Sequence, residues 1–445
     1  MTSQGPGGSP EWIEQGLLDA LRHDGNRLIA ALYNDRSILP DDEPRRELET
    51  CHEGRTRRIQ TLFGEVSLRR CYYHHLPSGT GRCPLDEALG LEGAYSPAVA
   101  RLMCRAASLS PSYQQGAEDL AVYAGLAIES RQLGRMVAAV APGMNQALST
   151  LDPCMGSQGP IPVLYASVDG TGTPMRREEL AGRPGKQEDG SARTREAKLG
   201  CVFTQTTTDE QGQPLRDPDS TSYVGTFQGC RDAGVLLQQE ALRRGLGRAQ
   251  QVVYLGDGAA WIWENCRLCF PGAVEILDFY HASEHVADMT KVIHEDQDQA
   301  AALHRRWSHD MKQTSPAGLL AEARALLDEH PDWRETKRAA IQSEINYLES
   351  HATRTHYGQY RAKGYFIGSG VIEAGCKTVV GRRLKQSGMF WSETGAENIL
   401  SLRCQVLGPH FDASWKARRE LLAEQRLKAR RWLPKEESME EPKAA

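Results

Sequence analysis

No stretch of about 18 consecutive apolar residues, the length a membrane-spanning helix needs, occurs in this 445-residue chain. A signal-peptide pattern is also missing, and the expectation is a cytoplasmic protein with no membrane partner. There is no glycine-rich phosphate loop of the Walker type and no Ser/His/Asp context suited to acyl transfer, so ATP-driven and protease functions find no support. The eleven cysteines follow no framework of paired spacings, which predicts reduced thiols rather than disulfides. A strong charge of either sign is lacking too. The formal net charge of −5 argues mildly against a DNA partner, but the average hides its distribution. From Arg354 to Arg431 fifteen Lys or Arg stand against six Asp or Glu. That surplus suits phosphate, whereas a merely solvated helical face would mix signs more evenly.

What the chain does have is three acids in local sequences that deliver a carboxylate to a site. "IPVLYASVDGTGTP" is an apolar, β-branched run ending on Asp169, and "QVVYLGDGAAWIW" repeats the arrangement at Asp257. Both predict buried strands with an acid at the carboxyl end. In "FIGSGVIEAGCKTVVGRRLKQ", Gly368, Ser369 and Gly370 open a helix whose first turn holds Glu373. Asp257 follows Asp169 by 88 positions (257 − 169), and Glu373 comes 116 later (373 − 257). Each acid alone has an ordinary explanation: Asp before Gly is a common turn, and Glu in a first helical turn is a dipole partner. Together they suit magnesium, which wants hard oxygen ligands. Two such ions about 3.5–4 Å apart stabilise both the attacking and the leaving oxygen of a phosphodiester displacement. Three crowded carboxylates repel one another unless cations or protons lie between them.

In these stretches the chain resembles the DDE transposases of bacterial insertion sequences, in particular the ISKra-type family, related to the Mutator-like superfamily. The matching segments are "SVDGTG" around Asp169, "LGDGAAWIWE" around Asp257, "ILDFYHASEHV" around Asp278 and His281, and "GSGVIEAGCKTVVGRRLKQSGMFWS" around Glu373. Similarity extends from about residue 50 to about residue 410. The resemblance implies an α/β fold with a ribonuclease H-like catalytic core, a mixed sheet flanked by helices. Helical periodicity adds an all-helical insertion within that core and a preceding helical region that contains a helix-turn-helix. Asp169, Asp257 and Glu373 would be the catalytic residues and would hold two Mg²⁺ ions, with Mn²⁺ as a substitute. Asp278 and His281 match a short Asp/Cys-x-x-His motif of the related superfamily. Either His281 contacts DNA or tunes the site, or the pair is a capping Asp beside a solvated His.

The expected organisation is a helical region over residues 1–50, a small β-hairpin region over 51–93, and a helix-turn-helix region over 94–150. The core follows over 160–284 and 365–410, with the helical insertion at 285–364 and a basic helical tail at 411–445 whose end is disordered. Residues 10–50 read as amphipathic helix, and "LDPCMGSQGPIP" (151–162) as a linker. Cys71, His74, His75 and Cys83 lie around the hairpin like a zinc knuckle, and related transposases often show paired cysteines here. Clean Cys-x-x-Cys pairs are missing, so a degenerate remnant without structural zinc is expected. Cys266-x-x-Cys269 reads as two thiols a turn apart on a helix. Between 176 and 198 a polar loop carries Arg176, Arg177, Arg183, Lys186, Arg193, Arg195 and Lys198, but its five acids weaken any inference of DNA contact. Trp307 and Trp333 read as core residues of the insertion.

"SYQQGAEDLAVYAGLAIESRQLGRMVAAVA" has the form helix, turn, helix. Gly125 supplies the turn, Glu129 and Ser130 open the second helix, and Leu133, Met136 and Val137 continue its buried stripe. Arg131, Gln132 and Arg135 would then project where a recognition helix meets base edges, although a plain helical hairpin gives the same pattern. Lys377, Arg382, Arg383 and Lys385 are the DNA-contact candidates of the later basic segment. The expected function is transposition. The protein would bind the terminal inverted repeats of its element, cleave double-stranded DNA with metal, and join the ends to target DNA. It would work as a homo-oligomer on DNA, cytoplasmic and nucleoid-associated when bound. The alternatives are a metal-dependent nuclease or resolvase with the same core, and a transposase-derived DNA-binding repressor without catalysis.

Overall fold

The computed structural model describes residues 10–39, 41, 43–151, 159–180 and 194–431. The chain divides into two compact units, Met1–Ala147 with Ser414–Ala445, and Leu148–Ala413. No described helix is long and apolar enough to cross a membrane.

In the first unit, α1 (Pro10–Asn34) precedes an antiparallel meander of β1 (Glu49–Thr61), β2 (Gly64–His75) and β3 (Thr80–Arg82). The helix expected to run to residue 50 stops sixteen positions early (50 − 34). Asn34 turns its amide back onto the carbonyls of Ala30 and Ser67, at 2.8 and 3.0 Å, and Asp35 accepts from the Ser37 N–H at 2.9 Å. Such short polar side chains compete with the helical ladder and end it. Ile29, Ala30 and Tyr33 pack on a core of Ile59, Val66, Leu68 and Leu85.

The zinc-knuckle candidates fall on β2 and at the start of the next helix. Cys71, His74 and His75 lie on β2, and Cys83 is the cap of α2 (Pro84–Leu89). Arg70 donates to the Cys83 sulfur, the Cys71 N–H donates to Asp41, and His75 Nδ1 lies 2.6 Å from Ser78 Oγ. Burial pushes the Cys71 thiol up to about 12, with the Asp41 carboxylate adding to the shift.

Three helices follow: α3 (Pro97–Leu109), α4 (Tyr113–Ala124) and α5 (Ser130–Thr150). Ser96 and Ser112 cap the first two through their side chains. Gly125 ends α4 at φ 65°, a left-handed conformation that glycine adopts without strain. Leu133, Met136 and Val137 are buried, as the helical spacing predicts.

The second unit is α/β. Its strands are β4 (Ile161–Pro174), β5 (Thr194–Gln205), β6 (Thr207–Thr208), β7 (Pro214–Leu215), β8 (Ser222–Thr226), β9 (Ala249–Gly256) and β10 (Val274–Leu277). Five of them form a mixed sheet in the order β10-β9-β4-β5-β8. β10, β9 and β4 run parallel, while β5 is antiparallel to both of its neighbours. The apolar run Leu199–Phe203 of β5 is buried throughout, as in a strand covered on both faces. α6 (Cys230–Arg243) covers one face, where Leu237 closes on Gly200. α7 (Ala260–Cys269) follows β9 and buries both Cys266 and Cys269.

Residues from 279 onward are helical: α8 (Phe279–Ile293), α9 (Gln297–Gln313), α10 (Ala317–Glu329), α11 (Glu335–Ser350) and α12 (Tyr357–Ala362). Trp307 is buried among them. Trp333 is not a core residue: half-exposed, it stacks on His330 with the Lys337 ammonium 4.1 Å over its ring. α13 (Gly370–Gly375) runs into a π-helical turn (Cys376–Gly381) and α14 (Arg382–Leu384), followed by α15 (Glu393–Leu407); α16 (Phe411–Arg431) belongs from Ser414 onward to the first unit. α13 and α15 cover the second face of the sheet, where Gly375 meets Leu199 and Tyr223, and Gly225 meets Leu400.

Two expectations about loops change. Arg195 and Lys198 belong to β5, not to a surface loop. Arg195 pairs with Glu393, and Lys198 is buried with its ammonium 3.0 Å from Glu196. Arg183, Lys186 and Arg193 lie outside the described residues, as do 152–158 of the expected linker and the end of the tail beyond 431.

Candidate active site

The parallel register of β4 and β9 brings the first two acids to one level. Their last pair is Ser167 with Leu255, an offset of 88 (255 − 167), the same offset that separates Asp169 from Asp257. Both acids therefore stand two residues beyond the point where the strands part. The expected end of β4 at Asp169 is wrong, because the strand continues to Pro174 on β5. Asp169 sits instead where pairing with β9 has ceased. Ser167, two residues earlier and so on the same face, donates to the Leu255 carbonyl at 2.9 Å.

Asp257 directly follows β9. Its side chain accepts from the Ala259 N–H at 3.0 Å, which makes a turn, and Gly258 adopts φ 102° within it. A side chain at 258 would be strained by that angle and would meet the Tyr347 hydroxyl. Tyr347, on α11, donates that hydroxyl to the Asp257 carbonyl at 3.0 Å.

Glu373 arrives from α13, in its first turn as the sequence predicts. Ser369 Oγ donates to Glu373 Oε1 at 3.2 Å. Asp169, Asp257, Asp278, His281 and Glu373 all line one cleft of about 250 Å³. Asp169 and Asp257 are half-buried, Glu373 is exposed, and Asp278 is buried. Burial holds the Asp169 carboxyl above its ordinary range, and the charges of Asp257 and Glu373 push the same way; the Cys376 thiol, donating at 3.4 Å, opposes them. Burial, with the Asp169 charge beside it, raises the Cys376 thiol far above its usual value. Both the burial and the neighbouring charge favour the neutral thiol that donates to Asp169.

Compared with models of known protein families and with the sequences of curated proteins, the chain matches none.

Among the described residues no three His, Cys, Asp or Glu side chains are drawn together as a ready-made ion cage. The three acids nonetheless fit a divalent cation by donor chemistry. They offer only hard carboxylate oxygens; burial raises the Asp169 carboxyl, the charges of Asp257 and Glu373 add to the shift, and a cation would relieve that added repulsion. The sign of that shift gives a test. A folded-state value above the unfolded one means that the metal-free folded protein binds the extra proton. Asp169 therefore costs stability as pH rises out of the ordinary Asp range and through the raised folded value. Asp169→Asn removes the cost, so thermal unfolding in chelator at neutral pH should show a Tm equal to or above that of the parent. A lower Tm would mean that Asp169 is a stabilising structural acid.

The other candidates divide. Asp278 caps α8 and accepts the His281 N–H at 2.7 Å, which bears out the capping explanation for that letter. His281 reaches the cleft, with Nδ1 3.4 Å from Glu284. Lys377, Arg382 and Lys385 are exposed, and Lys385 donates to Thr171, which shares the Asp169 face of β4. Arg383 is a correction: it is 0 % exposed, with its guanidinium 5.1 Å from the centre of the Trp391 ring, so it cannot reach DNA. The basic surplus of 354–431 is likewise partly internal. Arg354 pairs with Glu275, Arg418 pairs with Glu92, and buried Arg403 donates to the carbonyl of Val379 at 2.6 Å. On α5, Arg131 and Arg135 are exposed, but the Gln132 side chain is turned back to accept the Glu129 N–H at 3.0 Å. Gln132 is a helix cap in this conformation, not an outward reader. Tyr347, Ser369 and Cys376 were not identified as site residues from sequence. Cys376 and Ser369 lie within a helical turn of Glu373, which is a usable signal; Tyr347 has none.

Proposed function

We propose that the protein is a DDE transposase of an insertion sequence, with a ribonuclease H-like core, acting on double-stranded DNA. The observation that carries this is the meeting of Asp169, Asp257 and Glu373, from positions 88 and 116 apart, on one cleft where their charges act on one another. A mixed sheet flanked by helices, with two acids where its central parallel strands part, supports the same core.

Asp169, Asp257 and Glu373 would hold Mg²⁺ or Mn²⁺. When bound, a metal pair supplies charge for the attacking and leaving oxygens of an in-line phosphodiester displacement and acidifies a water. The chain's own residues set the stage. The Cys376 thiol donates to Asp169 Oδ2, Ser369 orients the Glu373 carboxylate, and Tyr347 anchors the turn that carries Asp257. Lys377, Arg382 and Lys385 offer exposed cations for backbone phosphates, and Arg131 and Arg135 offer cations on the candidate recognition helix. The reaction is exposure of a 3′-hydroxyl at each terminal inverted repeat and its joining to target DNA. Because two ends must be joined together, the working form is a homo-oligomer on DNA.

A strand-transfer assay with the inverted repeats flanking the coding sequence tests this. Joined products are expected. Cutting without joining would make the protein a nuclease or resolvase, and binding without cutting would make it a repressor.

A further inference from the structure

Asp278 is 1 % exposed, and a carboxylate that buried persists only where donors satisfy it. One oxygen accepts the His281 N–H at 2.7 Å, and the other accepts the Ser369 N–H. Two main-chain bonds flank these. The Asp278 N–H donates at 2.8 Å to the carbonyl of Gly256, the residue before Asp257, and the Phe279 N–H donates at 2.9 Å to the carbonyl of Ile367. The approach at this point is close, since a Cβ on Gly368 would come within 2.8 Å of the Tyr280 ring. One residue therefore ties three elements together: its main chain holds the strand end bearing Asp257, and its side chain joins the start of α8 to the cap of α13. Ser369, the residue it grips on α13, is the one whose hydroxyl donates to Glu373.

We infer that Asp278 is a positioning residue: it fixes the amino end of α13 against the sheet and, through Ser369, sets the Glu373 carboxylate opposite Asp257. Both of its oxygens are committed to main-chain donors, so it acts through Glu373 and not as a ligand. This role rests on the proposed metal-dependent function.

Asp278→Ser separates the two halves of the clamp. Serine still caps α8, being among the preferred residues there, but it has no second acceptor for Ser369. Hydrogen exchange of the full chain in metal-free buffer should show the amides of 369–373 exchanging about ten-fold faster or more, with α8 unchanged. Mn²⁺ binding, followed by electron paramagnetic resonance, should weaken by about ten-fold, the lower end of the range for partners that orient a ligand. Asp278→Asn keeps the shape and one acceptor, and should shift both readouts in the same direction if the serine protein folds poorly. Unchanged exchange at 369–373 would overturn the clamp. Faster exchange with unchanged Mn²⁺ affinity would also overturn it, leaving Asp278 a structural cap. If the parent protein itself binds no Mn²⁺, the metal-dependent function falls, and the positioning role falls with it.

Discussion

Asp169→Asn, Asp257→Asn and Glu373→Gln should each leave DNA binding and folding intact while nicking and joining fall by roughly 10³-fold or more. Each substitution keeps the shape of the side chain and removes one negative charge. The charges of these residues already act on one another across the cleft, and a pair of metal ions held among them would be lost as a unit rather than by thirds. The competing explanation is sharpest for Glu373. As a plain helix-dipole partner in the first turn of α13, its charge would contribute only about 0.3–1 kcal/mol of stability and nothing to turnover. Gel-shift and strand-transfer assays on the same preparations measure both quantities. A Glu373→Gln protein that joins ends at close to the parental rate would remove it from the site.

Metal removal should have an effect of the same size. In excess chelator, end cleavage should vanish and return on addition of Mg²⁺ or Mn²⁺. Ca²⁺ should support complex formation with little chemistry, because its larger and looser oxygen shell misplaces the reacting groups. The half-exposed carboxylates and the exposed Glu373 leave the cleft open to such exchange. Cleavage that proceeds unchanged in chelator would end the two-metal mechanism.

Much of the site was legible because burial writes itself into composition. The apolar runs before Asp169 and Asp257 mark central strands, and the Gly-Ser-Gly opening marks the start of α13. Hydropathy reports burial, however, and not pairing. The run "GTGTP" after Asp169 looks like a turn, yet its backbone stays in the ladder with β5. Side-chain direction was harder still. The π-helical turn at Cys376–Gly381 adds a residue per hydrogen-bonded loop and rotates everything after it. Arg382 is left outside and Arg383 is carried into the core, although the two are adjacent and chemically identical in the sequence. Gln132 fails for a different reason: near a helix start, its own backbone competes for its side chain. Tyr347 could not be found at all, since nothing in a helical segment announces that one hydroxyl will meet a carbonyl 90 positions away.

The offset of 88 between β4 and β9 also has a meaning in time. Parallel strands cannot close as a local hairpin, and contacts this distant in sequence form slowly because the chain between them must first be ordered. Glu373 comes 204 positions after Asp169 (373 − 169), so the third carboxylate is made long after the first. During synthesis the amino-terminal helices and the β4–β5 hairpin emerge while the cleft still has no third wall. Any fragment that stops short of α13 keeps the two aspartates but lacks Ser369, Ile372 and Glu373, and with them one wall of the cleft and its third carboxylate.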